Sequence, residues 1–167
     1  MANQTTSGIN PAQAAQELPR MIERMHRRFL DVVRIELTRQ GINDISPVQA
    51  MMLSSIGDEE ISVRDLIERG YYLGSNASYN LKQLVDGGYV DRQTSTRDRR
   101  SARLKASSKG RVILDALVKL NAQMAEPILK TENEANEMEA GWRTLRRLER
   151  RWSDSIRFTD PTNEGDL

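Results

Sequence analysis

The apolar positions of this chain fall mostly at helical spacing, with one short stretch of strand-like alternation. From Leu18 onward, Ile22, Met25, Phe29 and Val33 recur every three or four residues, and Met21, Leu30, Val32 and Leu37 widen that stripe. The spacing predicts a first helix ending near Gly41. Asn10-Pro11 is expected to cap a short turn ahead of it, with Pro19 kinking that turn or starting the main helix. Ser46-Pro47-Val48-Gln49 has the form of a capped start: a hydroxyl, a proline at the first helical position and an amide three residues after the cap. The second helix then runs through Ala50, Met51, Leu53 and Ile56 to Gly57. Ser62 with Asp65 opens a third, which stops at Gly70, and residues 71–74 form a turn. In the fourth, Ala77, Leu81, Leu84 and Val85 define an inward face, and Gly87-Gly88 ends it.

The helical period then breaks. Residues 89–93 and 102–105 read as two strands of a hairpin, and Glu60-Ile61 as a third short strand against it. Ser107 or Ser108 caps a long helix whose buried stripe is expected at Ile113, Leu117, Leu120, Met124 and Ile128, with Pro127 inside it as a bend. A last helix is expected from near Thr131 to near Phe158, with its stripe at Met138, Trp142, Leu145, Leu148, Trp152 and Ile156. Its early turns are acidic (Glu132, Glu134, Glu137, Glu139) and its later turns basic (Arg146, Arg147, Arg150, Arg151), the order that suits a helix dipole. Three short capped helices followed by a two-stranded wing make a winged helix-turn-helix. The predicted fold class is therefore mainly α: a winged helix-turn-helix whose N- and C-terminal helices form a dimerisation domain.

Candidate chemistry lies on the fourth helix and the hairpin. Opposite the apolar face of that helix stand Asn76, Tyr79, Asn80 and Gln83, with Ser75, Ser78 and Lys82 beside them. Asn and Gln amides can bond bidentately to the N6/N7 edge of adenine in a major groove, while Tyr, Ser and Lys reach phosphates. A solvated helix face has the same composition, so the helix alone does not decide the matter. The hairpin adds Arg92, Arg97, Arg99, Arg100, Arg103 and Lys105 against only Asp91 and Asp98. In a chain of formal charge +1 this is a local concentration of positive charge, suited to phosphates. Asp98 is expected to orient an arginine of the tip.

The run Gly88-Tyr89-Val90-Asp91-Arg92, Asp98-Arg99-Arg100 and Ser107-Ser108-Lys109-Gly110 resembles, in order and spacing, the wing and following helix start of the MarR family of transcriptional regulators. The resemblance extends upstream to Ser46-Pro47-Val48-Gln49 and covers roughly the central 65 residues. Many relatives carry a Thr-Arg pair where this chain has Ser78 and Tyr79. The resemblance implies DNA contacts from Ser75, Asn76, Ser78, Tyr79, Asn80, Lys82 and Gln83, and from Arg92, Arg97, Asp98, Arg99 and Arg100. It also implies a small aromatic or anionic effector whose binding releases DNA. By position, Phe29, Val33, Met52 and Tyr72 would line its crevice, with Arg28 or His26 as the polar anchor. For each apolar member, ordinary core is the competing reading.

Composition narrows the remaining choices. With 38% hydrophobic and 29% charged residues, the core is small for three long amphipathic helices, which therefore want a partner. A two-fold homodimer is the default solution. Leu18, Ile22 and Met25 of the first helix are expected in its interface, with Met138, Trp142, Leu145, Leu148 and Trp152 of the last. The expected organisation is a disordered tail over residues 1–9 and a dimerisation helix over 10–42. A DNA-binding domain follows over 43–106, then dimerisation helices over 107–158 and a second tail over 159–167.

The absence of cysteine excludes a disulfide framework and thiolate chemistry, and fits the cytoplasm. No apolar run approaches the ~20 residues needed to cross a bilayer, and the polar start lacks the order of a signal peptide. His26 is the sole histidine, no phosphate loop is spelled, and the glutamates from Glu132 to Glu139 read as a solvated helix start before a metal site. An enzyme is not expected, nor a cofactor. The expected function is a homodimeric repressor on a pseudo-palindromic duplex. The alternative is a dimeric protein-interaction or antirepressor module of the same fold. RNA suits the polar helix less well, because the A-form major groove is too narrow to read.

Overall fold

The computed structural model describes residues 10–70, 74–94 and 102–159. Both expected tails, the wing tip with Arg97, Asp98, Arg99 and Arg100, and Tyr72 in the turn lie outside the described residues, apart from Thr159. The chain divides into two compact units, Met1–Leu120 and Asn121–Leu167.

The first unit begins with α1, Pro11–Arg39, a single helix. Asn10 caps it by accepting a hydrogen bond from the Ala12 amide at 2.8 Å. Pro19 lies inside this helix and does not start it, which corrects that part of the expectation. The surrounding turns are largely exposed, so water can satisfy the carbonyl that the proline ring leaves without a donor. Only the C-terminal part of α1 reaches the core, through the fully buried Val33 and through Leu37. Glu36 is buried beside them, and its carboxylate accepts from Arg39 Nε and Nη2 and from Gln40 Nε2, each at 2.8 Å. These bonds hold the carboxyl below its ordinary value, that from Arg39 most of all.

The next helix, α2 (Pro47–Ile56), starts on a complete capping box between Ser46 and Gln49. It is the central element: Ala50, Met52 and Leu53 are fully buried, and Gly57 ends it with φ +67°. β1 is Ile61–Ser62, and α3 is Val63–Gly70, whose Asp65 amide donates to Ser62 Oγ at 3.0 Å. α4, Gly74–Asp86, buries Ala77, Leu81 and Leu84 against the core and stops at Gly88, φ +73°.

The wing strands are β2, Val90–Thr94, and β3, Ala102–Ala106. The sheet is antiparallel in the order β1-β3-β2, with Ile61 and Arg92 both opposite Leu104 and Val90 opposite Ala106. Ile61, Val90, Leu104 and Ala106 are buried and close the core from the sheet side.

α5, Ser108–Ala125, enters from β3. Ser107 is its cap, accepting from the Gly110 amide at 3.0 Å while donating from the same hydroxyl to the Gly88 carbonyl at 2.6 Å. Ile113, Leu117 and Leu120 are buried as the spacing predicts. Met124 and Ile128, expected in the same buried stripe, are instead 53% and 50% exposed, because past Leu120 the chain has left the first unit's core. Pro127 does not bend a continuing helix: α5 ends at Ala125, and the proline sits in a short 3-10 turn, Glu126–Ile128. Proline removes a donor and biases its predecessor away from the α region, so a stop costs less here than a kink.

In the second unit α6, Glu132–Thr159, opens on a reciprocal cap. The Glu134 amide donates to Thr131 Oγ1 at 3.2 Å, while the Glu134 carboxylate accepts from the Thr131 and Lys130 amides at 2.9 Å each. Its predicted stripe is present but uncovered: Met138, Trp142, Leu145, Trp152 and Ile156 are all exposed, and only Leu148 is half-buried.

Candidate nucleic-acid interface

The fourth helix carries the candidate groups because its two faces are segregated in sequence. Once Ala77, Leu81 and Leu84 are buried, Asn76, Ser78, Tyr79, Lys82 and Gln83 must face water, and all five are exposed. Tyr79 is 63% exposed, far beyond what an aromatic at a core-facing position shows. Asn80 is half-buried, and its amide nitrogen donates to the Asn76 carbonyl one turn back at 2.9 Å. Its side chain is thus committed to its own helix, whereas Gln83 is exposed. Lys82 pairs with Asp86 at the end of the same helix, an interaction that raises the lysine's pKa, chiefly through the hydrogen bond. Ser75 lies in the first turn of α4.

The wing contributes from two faces. In the pleat, Gln93 opposite Arg103 and Asp91 opposite Lys105 share the face turned away from the core. Arg92 shares its side of the sheet with buried Leu104 and Val90, yet is itself exposed. The described arginines of the hairpin therefore do not form one flat basic surface.

Three residues that carry no contact signal in the sequence tie the start of the wing to the helices on either side of it. The Tyr89 hydroxyl donates to Asp44 Oδ1 at 2.6 Å, Lys109 Nζ donates to Asp44 Oδ2 at 3.0 Å and to the Gly87 carbonyl at 3.0 Å, and the same ammonium lies 3.9 Å from the centre of the Tyr89 ring. Asp44 comes from the α1–α2 connection, Tyr89 from the α4–β2 turn and Lys109 from the first turn of α5. The Asp44 carboxyl is held below its ordinary value, first by the Tyr89 hydroxyl and then by Lys109. Burial, then Asp44, pushes the Tyr89 phenol up. A separation of 45 residues between Tyr89 and Asp44 leaves no local sequence signal for this contact.

The expected effector residues do not gather into one open site. Val33 and Met52 are fully buried core members with Phe29 packed against them, whereas His26 and Arg28 are exposed on α1. Among the described residues no group of histidine and acidic side chains is placed to hold a metal ion, and no helix is long and apolar enough to cross a membrane.

Comparison with known proteins places this geometry. A sequence profile described as MarR family matches residues 43–101, the segment from before α2 to the wing. The exopolysaccharide II synthesis transcriptional activator ExpG of Rhizobium meliloti (strain 1021) is 44% identical over 142 residues, covering 85% of this chain and 73% of that protein. Among solved structures, the transcriptional regulator SlyA superposes with a TM-score of 0.72 at 19% identity, covering 86% of this chain and 99% of that one. Streptococcus pneumoniae FabT, solved in complex with DNA, gives 0.69 at 22% identity over 83% of this chain and 99% of that one.

Proposed function

This chain belongs to the MarR family of transcriptional regulators and is not an enzyme, and from that membership we propose that it acts as a homodimer on duplex DNA. Each subunit lays α4 in a major groove and sets its wing on the backbone or minor groove. The site is pseudo-palindromic, with half-sites about one helical turn, ~34 Å, apart. One observation carries the reading: the face of α4 opposite its buried side is exposed and holds the groups that read base edges and grip phosphates.

The sign of regulation proposed is activation. Repression rests on the sequence reading alone, whereas the 44%-identical relative is named an activator. Control by a small aromatic or anionic effector belongs to the same proposal. Half-buried Phe29, with exposed His26 one turn before it and Arg28 adjacent, is the part of the expected crevice that solvent reaches. Val33 and Met52 are fully buried members of the core and lie out of reach of solvent.

The test is a fluorescence-anisotropy titration of labelled genomic fragments across a salt series, with duplex RNA and random DNA as competitors. Preferred fragments that resist both competitors, and an affinity that falls linearly in log–log with salt, are the expected result. Equal affinity for all duplexes, or none, sinks the reading in favour of a protein-binding module of the same fold. Small phenolic anions added to the preformed complex test the release step.

A further inference from the structure

The outward side chains of α4 differ in kind from one edge of the exposed face to the other. At about 100° per residue, the buried Ala77, Leu81 and Leu84 centre on one line of the helix, and Tyr79 lies within about 15° of the line opposite. Asn76 and Gln83 fall about 40–60° to one side of Tyr79, and Lys82 about 60° to the other. All four are exposed. Tyr79 is the one aromatic residue in the sequence of this helix, and it is 63% exposed. A single exposed ring is ordinary on a protein surface; a ring set between amides on one side and an ammonium on the other is not. Asp86 lies near the same line two turns later, where Lys82 engages it. That acid confines the face suited to DNA to the turns from Asn76 to Gln83.

Across the major groove an A·T pair presents its groups in a fixed order. Next to the backbone of the thymine strand stands the C5 methyl, then thymine O4, then adenine N6 and N7. Across the face of α4 the order is an ammonium suited to phosphate, an apolar ring, and amides suited to N6 and N7. The two orders match. A tyrosine also lacks the forked donors with which arginine takes guanine O6 and N7, so a G·C pair offers the ring no methyl and no bidentate partner. We infer that the Tyr79 ring packs on the C5 methyl of a thymine, and that each half-site holds a T·A pair at the centre of the α4 footprint. This rests on the DNA binding proposed above and adds the chemical group that is read. It assigns the contact to the ring and not to a phosphate that the hydroxyl could reach. Gln83 and Asn76 then meet adenine across the same groove, and Lys82 the phosphate flanking the thymine.

Uracil pairs with adenine as thymine does and lacks only the methyl, so deoxyuridine isolates the contact. The probe is the tightest duplex that the full-length wild type selects from a random-sequence library, remade with deoxyuridine at one symmetric pair of thymines at a time. At one such pair the change is expected to weaken wild-type binding by about fourfold per half-site and about fifteenfold for both, the transfer free energy of one buried methyl each. Tyr79→Ala is expected to bind the thymine and uracil forms of that duplex equally, whereas Tyr79→Phe keeps the difference. Gln83→Ala is expected to bind both forms more weakly and to keep their ratio. Helical circular dichroism of the variants should match wild type, because Tyr79 is not part of the core cluster. A wild type indifferent to uracil at every position overturns the inference while leaving DNA binding intact. A difference that persists in Tyr79→Ala overturns it too, since the methyl is then read by another residue or through the shape of the duplex. Loss of the difference in Tyr79→Phe gives the contact to the hydroxyl and equally overturns it. A wild type that selects no duplex instead overturns the DNA binding on which the inference rests.

Discussion

At the scale of single residues, the winged unit depends on close contacts at the start of α5. A Cβ on Gly110 would lie 2.2 Å from the Tyr89 carbonyl oxygen, inside any real contact distance. That carbonyl accepts from the Ser107 amide at 3.0 Å, so backbone on both sides is fixed. Gly110→Ala should therefore destabilise the fold by roughly 1–3 kcal/mol, the cost of overpacking a site that cannot yield, read as a lower urea midpoint. Asp44 gives a pH dependence. Its carboxyl titrates below its ordinary 3.8 in the folded state, chiefly because the Tyr89 hydroxyl bonds to the charged form. The stabilisation is complete above that ordinary value and is lost as pH falls through the lower folded value. Asp44→Asn should be less stable than wild type near neutral pH, with the difference shrinking below about pH 4. Urea titrations at several pH values check this, and parallel curves would mean that Asp44 contributes nothing through its charge.

At the scale of elements, α4 and the wing should fail differently. Gln83 projects from the exposed face of α4, so Gln83→Ala should cost roughly 1–3 kcal/mol on the best site and much less on random DNA. Asn80→Ala should cost less than Gln83→Ala, because the Asn80 amide must first leave the Asn76 carbonyl to reach a base. Arg100→Ala should weaken binding to most sequences, and because a dimer loses two contacts, the log–log salt slope should become shallower by up to ~1.8. Binding of each variant to specific and random duplexes across a salt series separates the three. α1 offers a test of another kind. Pro19 occupies a helix interior at a cost of up to ~3 kcal/mol relative to alanine. Pro19→Ala should increase amide-exchange protection in the first turns of α1 while leaving the core amides of α2 unchanged.

At the scale of the whole molecule, the proposed dimer would tie the stability of α6 to association. Trp142 and Trp152 are 60% and 41% exposed within one chain, an apolar area that the proposed partner would cover. Replacing both by alanine should remove contacts on the order of 3–5 kcal/mol each if association buries them fully. Sedimentation should then show monomer or a loss of helical signal. A folded, stable double-mutant dimer would place the interface elsewhere.

The local rules were legible because they act over a few residues. Ser46 and Gln49 close a capping box, Ser62 and Thr131 cap their helices, Gly88 takes a positive φ, and the apolar periods mark which face of α4 turns inward. The order of helices and wing followed from those signals, and the polar face of α4 followed from its period. Proline is less legible, because its effect depends on whether solvent or packing supplies what the ring removes: Pro19 sits inside an exposed helix instead of starting it, and Pro127 follows the end of one instead of bending it. Only the tertiary structure decided where burial stops. Ile113, Leu117 and Leu120 carry the same apolar signal as Met124 and Ile128, but the first three meet the winged core and the last two have passed beyond it. The tie among Asp44, Tyr89 and Lys109, and the glycine that lets α5 approach the Tyr89 carbonyl, exist only once segments tens of residues apart have been brought together. Sequence period specifies that a face is apolar, whereas the packing of distant segments determines what covers it.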